Sequence, residues 1–359
     1  MHAIVASLRF NPGHFSHLMA NARLLQAAGY VVGFRWHAKF VGTASTGIDP
    51  TPWTRVQVLK LSPGSVYVLW FPSLVGFIDI LLLRLFMRPV WVVYVFHEPY
   101  TAHGSYRASG FSRLKAFKVY LIHLVSKATV ALSDGVVLPS QNAMAAFKQR
   151  YSEAGKSVQV VPLMFEDEAA GGVRAQAERP FVSYIGTVAE DHAFDRFVDF
   201  AEQALERQLL NGLRFQLATR SVLDPETTAR LAPFVATGQM HVQSGRPLSN
   251  DEINEAYGRS LVVWNAYKRS MQSGVLPKAY MFGTPVLVSE ANPSEFFEPG
   301  QHGVQVSSRY DTIELCAAVN TITANFEEFS AACRASFLEH FHYRANAVRF
   351  LAALHRAPS

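Results

Sequence analysis

Short apolar runs alternate with segments of helical period along most of the chain. Ile4–Ser7 predicts a strand, Arg9 to His14 is a turn-rich loop, and Phe15, Leu18, Met19, Ala22 and Leu25 recur at helical spacing up to Gly29. Tyr30–Trp36 predicts the next strand. The alternation continues with strands at Val66–Trp70 and Val90–Phe96, on either side of the very apolar segment Ser73–Met87, and with a strand and helix cap over Val136-Val137-Leu138-Pro139-Ser140-Gln141-Asn142. The segment Ser73–Met87 is too short to span a bilayer, carries Asp79 and Arg84, and is bracketed by Pro72 and Pro89, so a buried crossover helix is expected. A second strand–helix–strand start comes at Phe181–Ile185, followed by strands at Arg214–Thr219, Leu261–Trp264 and Pro285–Val288. Strands alternating with helices predict an α/β protein with parallel sheets and ligands at the carboxyl ends of the strands.

Two such starts in 359 residues suggest two domains, each with its own core. The polar stretch Glu166–Arg179, with Gly171-Gly172, is the expected linker, separating residues 1–165 from 180–339, with a final helix in 340–359. Charge divides along the same line. Residues 1–165 hold 16 Lys+Arg against 5 Asp+Glu, and the rest of the chain holds the remaining 17 and 23. The basic first half is expected to face something anionic; no zinc-finger, KH or RNP pattern accompanies it, which favours a membrane surface over a nucleic acid. The segment Ser112–Lys127 concentrates that charge, with Arg113, Lys115, Lys118, His123 and Lys127, no acidic residue, and interleaved Leu114, Phe117, Tyr120, Leu121 and Leu124. It reads as an amphipathic basic helix suited to anionic lipid, although a merely solvated surface helix would look the same.

Two cysteines, Cys316 and Cys333, form neither a metal pattern nor a disulfide framework, and the chain opens directly on a strand. A reducing cytoplasm without a signal peptide is the expectation. The first loop lacks G-x-G-x-x-G, so neither a nicotinamide nor a flavin cofactor is expected, and no Asp-x-Asp pattern suggests a metal.

The richest stretch is Gln272-Ser273-Gly274-Val275-Leu276-Pro277-Lys278-Ala279-Tyr280-Met281-Phe282-Gly283-Thr284-Pro285-Val286-Leu287-Val288-Ser289. It predicts a loop, a short helix opened by Pro277 and ended by Gly283, and a buried strand. Amides near Gly274, Val275 and Leu276, with Lys278 as a mobile cation, would suit a phosphate; an ordinary capped helix–strand junction would read the same way. An acidic turn follows, from Asn292-Pro293-Ser294-Glu295 to Gly300-Gln301-His302-Gly303. This order of motifs resembles the donor-sugar site of glycosyltransferases with the GT-B fold, most closely the family 4 type. The resemblance covers the second half well and the first half in outline. It implies two Rossmann-like domains facing a central cleft, with the last helix returning to the first domain.

This chain departs from that family in two places. The family's two glutamates, one near the sugar and one on the ribose, correspond to Ser270 and Lys278. An ammonium cannot accept ribose hydroxyl protons, so Lys278 is expected on the diphosphate, with Glu290 or Glu295 as ribose candidates. The Gly186 loop also lacks the arginine and lysine usual there, and Arg220 or Lys268-Arg269 would replace them. The donor set is then Gly186, Arg220, Tyr267, Ser273, Gly274, Val275, Lys278 and Glu295, with Tyr267 or Tyr184 as a base-stacking ring. Gly13 and His14 fall where such enzymes admit the acceptor. His97, at a strand end, resembles the family histidine that contacts the transferred sugar, and either Glu98 or Asp191 could be a general base.

The implied function is transfer of a sugar from a nucleoside-diphosphate donor, without a metal, to a polyprenyl-diphosphate-linked glycan at the inner face of a membrane. Such enzymes build surface polysaccharide. The altered glutamates leave retention and inversion both open. They also leave two alternatives: a sugar-nucleotide epimerase of the same fold, and a non-catalytic nucleotide-sugar-binding scaffold.

Overall fold

The computed structural model describes residues 1–8, 10, 12–43, 48–86, 89–101, 104, 106, 111–169, 171–269 and 273–354. Arg9, Met87, Ser270 and Gln272, named above, and the end of the segment 340–359 from 355 on lie outside the described residues. The chain forms two compact units, one of Met1–Glu166 with residues from Phe341 on, the other of Asp167–His340.

The first unit is a six-stranded, all-parallel sheet in the order β2-β1-β3-β4-β5-β6. Its strands are β1 (His2–Ser7), β2 (Val31–Trp36), β3 (Val66–Trp70), β4 (Trp91–Val95), β5 (Gly135–Leu138) and β6 (Ser157–Val160). Every residue of β3 and β5 is buried, as expected when helices cover both faces of a parallel sheet. The crossovers use α1 (Phe15–Ala27), α2 (Arg55–Val58), α3 (Leu74–Leu85), α4 (Arg113–Leu132) and α5 (Gln141–Lys148). Serines start three of them: the side chains of Ser73, Ser112 and Ser140 accept from the amides of Gly76, Lys115 and Ala143. The basic helix α4 therefore begins where expected but runs one turn further than Lys127.

The second unit repeats the plan in the order β12-β11-β10-β7-β8-β9, again all parallel. Its strands are β7 (Phe181–Ile185), β8 (Arg214–Ala218), β9 (Met240–Gln243), β10 (Ser260–Asn265), β11 (Val286–Ser289) and β12 (Gly303–Val306). Its helices are α6 (Phe194–Glu206), α7 (Pro225–Ala236), α8 (Asn250–Gly258), α9 (Val275–Met281), α10 (Thr312–Ala324) and α11 (Phe326–Ser336). Gly303 (φ 143°) must be glycine, since a Cβ there would lie 2.0 Å from the Val286 carbonyl oxygen across the β11–β12 ladder.

Three expectations need correction. The single helix predicted for His340–His355 is broken. A wide turn at Phe337–Phe341 and a tight one at Tyr343–Asn346 precede α12 (Ala347–Ala352). The break falls where the chain passes Phe165: Phe165 N donates to Phe341 O and Tyr343 N donates to Phe165 O, which holds His342 extended. The segment Glu166–Arg179, expected to be a simple polar linker, is tied in by ion pairs from Arg174 to Glu255 and from Arg334 to Asp167.

The third correction concerns α3, expected to be a buried crossover helix. Its buried positions are Gly76, Asp79, Ile80 and Leu83, while Leu74, Val75 and Leu85 point outward, and so does Phe86 just beyond its end. The helix is inside out because its charges have partners within. Asp79, fully buried, accepts from Arg35 Nε at 3.1 Å and Arg55 Nε at 2.6 Å, and Tyr67 Oη lies 3.5 Å away. Arg84 pairs with Asp134 and donates to the carbonyls of Leu132 and Val90. Removing a charge from such a buried set strands its partners. Asp79→Ala is expected to lower stability by about 3 kcal/mol in urea unfolding, whereas a loss below about 0.5 kcal/mol, typical of an ordinary surface change, would show the set to be dispensable.

Candidate functional site

Parallel sheets gather functional loops at their carboxyl edges, above all where the chain reverses its direction of winding. In the first unit that point lies between β1 and β3. Pro12–His14 follows β1, Phe71 follows β3, and His97 follows β4. The His14 and Phe71 rings stack at 3.8 Å and 17°, and Phe71 lies 5.5 Å from the His97 ring. The structure thus brings His14 and His97 to one place, with Gly13 in the adjacent turn.

Phe71 was not foreseen. It adopts φ 63°, a left-handed conformation costly for a bulky side chain. No sequence pattern distinguishes such a residue from an ordinary strand-end phenylalanine. His97 lines a 10 Å³ void together with Trp70, Val137, Pro139 and Leu163. Burial accordingly lowers the His97 pKa from its usual value, against an opposing effect of the Glu98 charge. A neutral imidazole is therefore favoured, able to donate or accept at a sugar hydroxyl. His97 Nδ1 has no hydrogen-bond partner among the described residues. Glu98 itself is exposed.

In the second unit the reversal lies between β7 and β10. Gly186 follows β7 with φ 140°, and a Cβ there would sit 3.7 Å from Val275 Cγ2 and 4.0 Å from Tyr267 Oη. Tyr267 follows β10 and hydrogen-bonds Ser273. The Ser273 hydroxyl accepts from the Val275 amide at 3.1 Å. Gly186, Tyr267, Ser273, Gly274 and Val275 are therefore one cluster. The Asp191 carbonyl receives the Lys268 amide at 2.8 Å, which brings the loop after β7 beside the loop after β10. Arg220 follows β8 next to Ser221, whose hydroxyl accepts the Val188 amide at 3.1 Å, so the β7 and β8 loops are also joined. Glu295 is exposed in the turn after β11, and Glu290 is held by the Ser308 amide and hydroxyl at 3.0 and 3.1 Å.

Several expected roles change with this geometry. The short helix starts at Val275 rather than at Pro277, which is its third residue. The Val275 amide is already bonded to Ser273. Neither candidate ring is an open stacking platform. Tyr184 is buried edge-on to Phe194 with its hydroxyl on the Thr187 carbonyl, and Tyr267 is covered by His192, stacked at 4.2 Å and 9°. His192 was overlooked because only its acidic neighbour suggested chemistry.

Lys278 changes most. Instead of a mobile cation it is a buried one, its side chain 7% exposed and its Nζ 2.6 Å from Glu168 Oε2. The same oxygen accepts from Asn250 Nδ2 at 2.5 Å and Asn254 Nδ2 at 2.7 Å. Burial lowers the lysine pKa and the Glu168 charge partly restores it. Lys278 thus fastens α9 to the segment before β7 and to α8. Glu168 was missed because a carboxylate in a polar stretch gives no sign of its distant partner. A cavity of about 300 Å³, lined by Gln216, His241 and Arg259 among others, lies over β8 and β9 under α8, and its Glu252 and Glu255 are paired with Arg246 and Arg174.

Two six-stranded parallel sheets, each with its crevice at the winding reversal, define the GT-B fold. Residues 198–352 match the family model described as glycosyl transferase-like. Solved structures share the fold over nearly the full length. HepE of Anabaena, solved with UDP-glucose, is 12% identical with a TM-score of 0.70, covering 98% of this chain and 100% of that one. Sucrose-phosphate synthase of Thermosynechococcus elongatus is 14% identical with a TM-score of 0.66 over 98% and 97% of the two chains. A glycosyltransferase of Rickettsia africae is 10% identical, also at 0.66 and over 98% and 97%. No curated protein matches the chain in sequence. The protein has the GT-B fold, and residues 198–352 are similar to glycosyl transferase-like proteins.

The Lys278–Glu168 pair gives a direct test of the second unit's organisation. Lys278→Met should cost about 3–5 kcal/mol because it leaves a buried carboxylate uncompensated, and adding Glu168→Leu should return most of that loss. A double-mutant cycle by chemical denaturation measures it. Effects that simply add, within about 0.5 kcal/mol, would mean that the two residues act independently.

Proposed function

We propose that this protein is a glycosyltransferase that moves a sugar from a nucleoside-diphosphate donor to a lipid-linked saccharide, a polyprenyl diphosphate glycan, in the synthesis of surface polysaccharide. The observation that carries the donor half is the cluster of Gly186, Tyr267, Ser273, Gly274 and Val275 at the winding reversal of β7 and β10. HepE, which has the same fold, was solved with UDP-glucose. The acceptor half rests on the basic first half of the chain, which suits an anionic membrane at its cytoplasmic face.

In this reading the diphosphate lies against the Gly186 loop, whose glycine lets the backbone approach closely, with Arg220 as the cation. Departure of the nucleoside diphosphate builds negative charge on the β-phosphate. A fixed cation and backbone amides stabilise it without a metal. His97 contacts the transferred sugar, and Glu98 or Asp191 takes the acceptor proton if the reaction inverts. Gly13 and His14 border the acceptor, and Glu295 is the remaining carboxylate for the ribose. The binding-only alternative draws support from one observation, the neutralisation of Lys278 by Glu168.

A panel of nucleoside diphosphates, scored by thermal shift and then by nucleotide release from the matching sugar donors, tests the proposal. One base should raise the melting temperature, and release should accelerate when a polyprenyl-linked acceptor is added. His97→Ala is expected to slow release on the order of 10²-fold while leaving the nucleotide-induced thermal shift intact. A thermal shift without any release, across all acceptors tried, would favour the binding scaffold. Absence of both would overturn the donor assignment.

A further inference from the structure

We propose that α3 and α4 together form a membrane-docking face whose apolar side chains enter the lipid interface, rather than a purely electrostatic contact made by α4. The inference rests on the membrane reading above and specifies how the bilayer is held. On α4, Leu114, Phe117, Leu121 and Leu124 recur at helical spacing on one face, and all are exposed, Leu114 at 65% and Phe117 at 53%. The opposite face, with Ala116, Ser126, Thr129 and Val130, is the buried one. The helix is thus amphipathic in the reverse sense for a soluble surface: its apolar stripe faces outward. Neighbouring α3 packs beside it and contributes Leu85 at 65% and, at its end, Phe86 at 59%. Its own charges, Asp79 and Arg84, are turned inward onto partners.

Charge complementarity identifies the occupant. Arg113 and Lys127 flank the α4 stripe on one side and Lys115 and Lys118 on the other, all exposed, and the helix has no acidic residue. Lys115 Nζ lies 4.0 Å from the centroid of the Phe111 ring, a cation–π contact at the start of the helix. A face of leucine and phenylalanine bordered by lysine and arginine fits an anionic lipid surface, with the rings among acyl chains and the cations among headgroups. No described helix is long and apolar enough to cross a membrane, so the face would lie in the interface plane.

The test uses the full chain with vesicles of phosphatidylcholine alone or mixed with phosphatidylglycerol, scored by co-sedimentation. The protein should bind the mixed vesicles, less so as salt shortens the screening length to about 8 Å at physiological strength. Two apolar double variants, Phe117→Ser with Leu121→Ser and Leu85→Ser with Phe86→Ser, should each lower the partition coefficient on the order of tenfold or more. Lys115→Glu with Lys118→Glu should also release the protein. Melting temperature and nucleotide-induced thermal shift, expected to be unchanged, exclude misfolding. If only the lysine reversals release the protein, the apolar face is not the contact, although the membrane reading stands. If the parent binds no vesicle, the membrane reading fails with it, while the donor assignment is tested separately by the thermal shift. If the parent instead self-associates and the serine variants abolish that, a second copy is the occupant and the proposal is overturned.

Discussion

A parallel strand can be reached from its neighbour only by carrying the chain back across the sheet, so all loops leaving strand carboxyl ends gather on one edge. Every strand pairing in both units obeys this constraint. In each unit the first strand lies inside the sheet, and the chain winds first to one side of it and then to the other. Loops on the two sides of that gap diverge and leave a crevice. His14, Phe71 and His97 meet at one such gap, and Gly186, Tyr267 and Val275 at the other. Their positions follow from strand order alone.

Within the second unit, one buried guanidinium fixes the elements around the crevice. Arg179, 1% exposed, donates to the carbonyls of Arg174, Ser260 and Phe282 and to the Thr284 hydroxyl. It therefore ties the approach to β7, the start of β10 and the turn between α9 and β11. Its acceptors are carbonyl dipoles and a hydroxyl, which solvate the charge only in part, and burial pulls its pKa down to about 10. The turn it holds contains Gly283 at φ 59°, which ends α9 and starts β11. Lys278 and Glu168 fasten the same short helix from its other side. A seven-residue helix is marginal by itself. These two anchors explain how it keeps a fixed place beside Gly186.

Continuous apolar runs made the central strands legible in the sequence. β7 and β10 were read nearly to the residue because both of their faces are covered. The strands that escaped notice, β6, β9 and β12, are all at sheet edges, four residues long, with the sequences Ser-Val-Gln-Val, Met-His-Val-Gln and Gly-Val-Gln-Val. A short half-covered strand carries too little apolar signal to stand out from a loop. The orientation of α3 was misread for a related reason. Its apolar residues occupy nearly every position, so periodicity could not show which side faces the sheet, and the deciding partners, Arg35 and Arg55, come from elsewhere in the chain. Position at the carboxyl edge was legible where strand ends predicted it, as for His97 and Gly186. The site was illegible where long-range pairing or an unusual φ decided it, as at Lys278 and Phe71.

These placements bear on how the proposed transfer could be driven. The two cations buried among the second unit's described residues, Arg179 and Lys278, are both committed to structure, one to backbone carbonyls and one to a carboxylate. A lysine neutralised at 2.6 Å contributes little net field to a departing phosphate. On the proposed reading, the charge that develops on the leaving group must therefore be met by the loops after β7 and β8, where Gly186 and Arg220 lie. A family that places a carboxylate at position 278 would draw the ribose there. Here the carboxylate comes from Glu168 and is consumed by the lysine. The pair anchors α9, and no carboxylate stands at position 278 to accept a ribose hydroxyl. On the proposed reading, recognition of the ribose falls to groups outside α9, with Glu295, exposed on the turn after β11, as the proposed carboxylate.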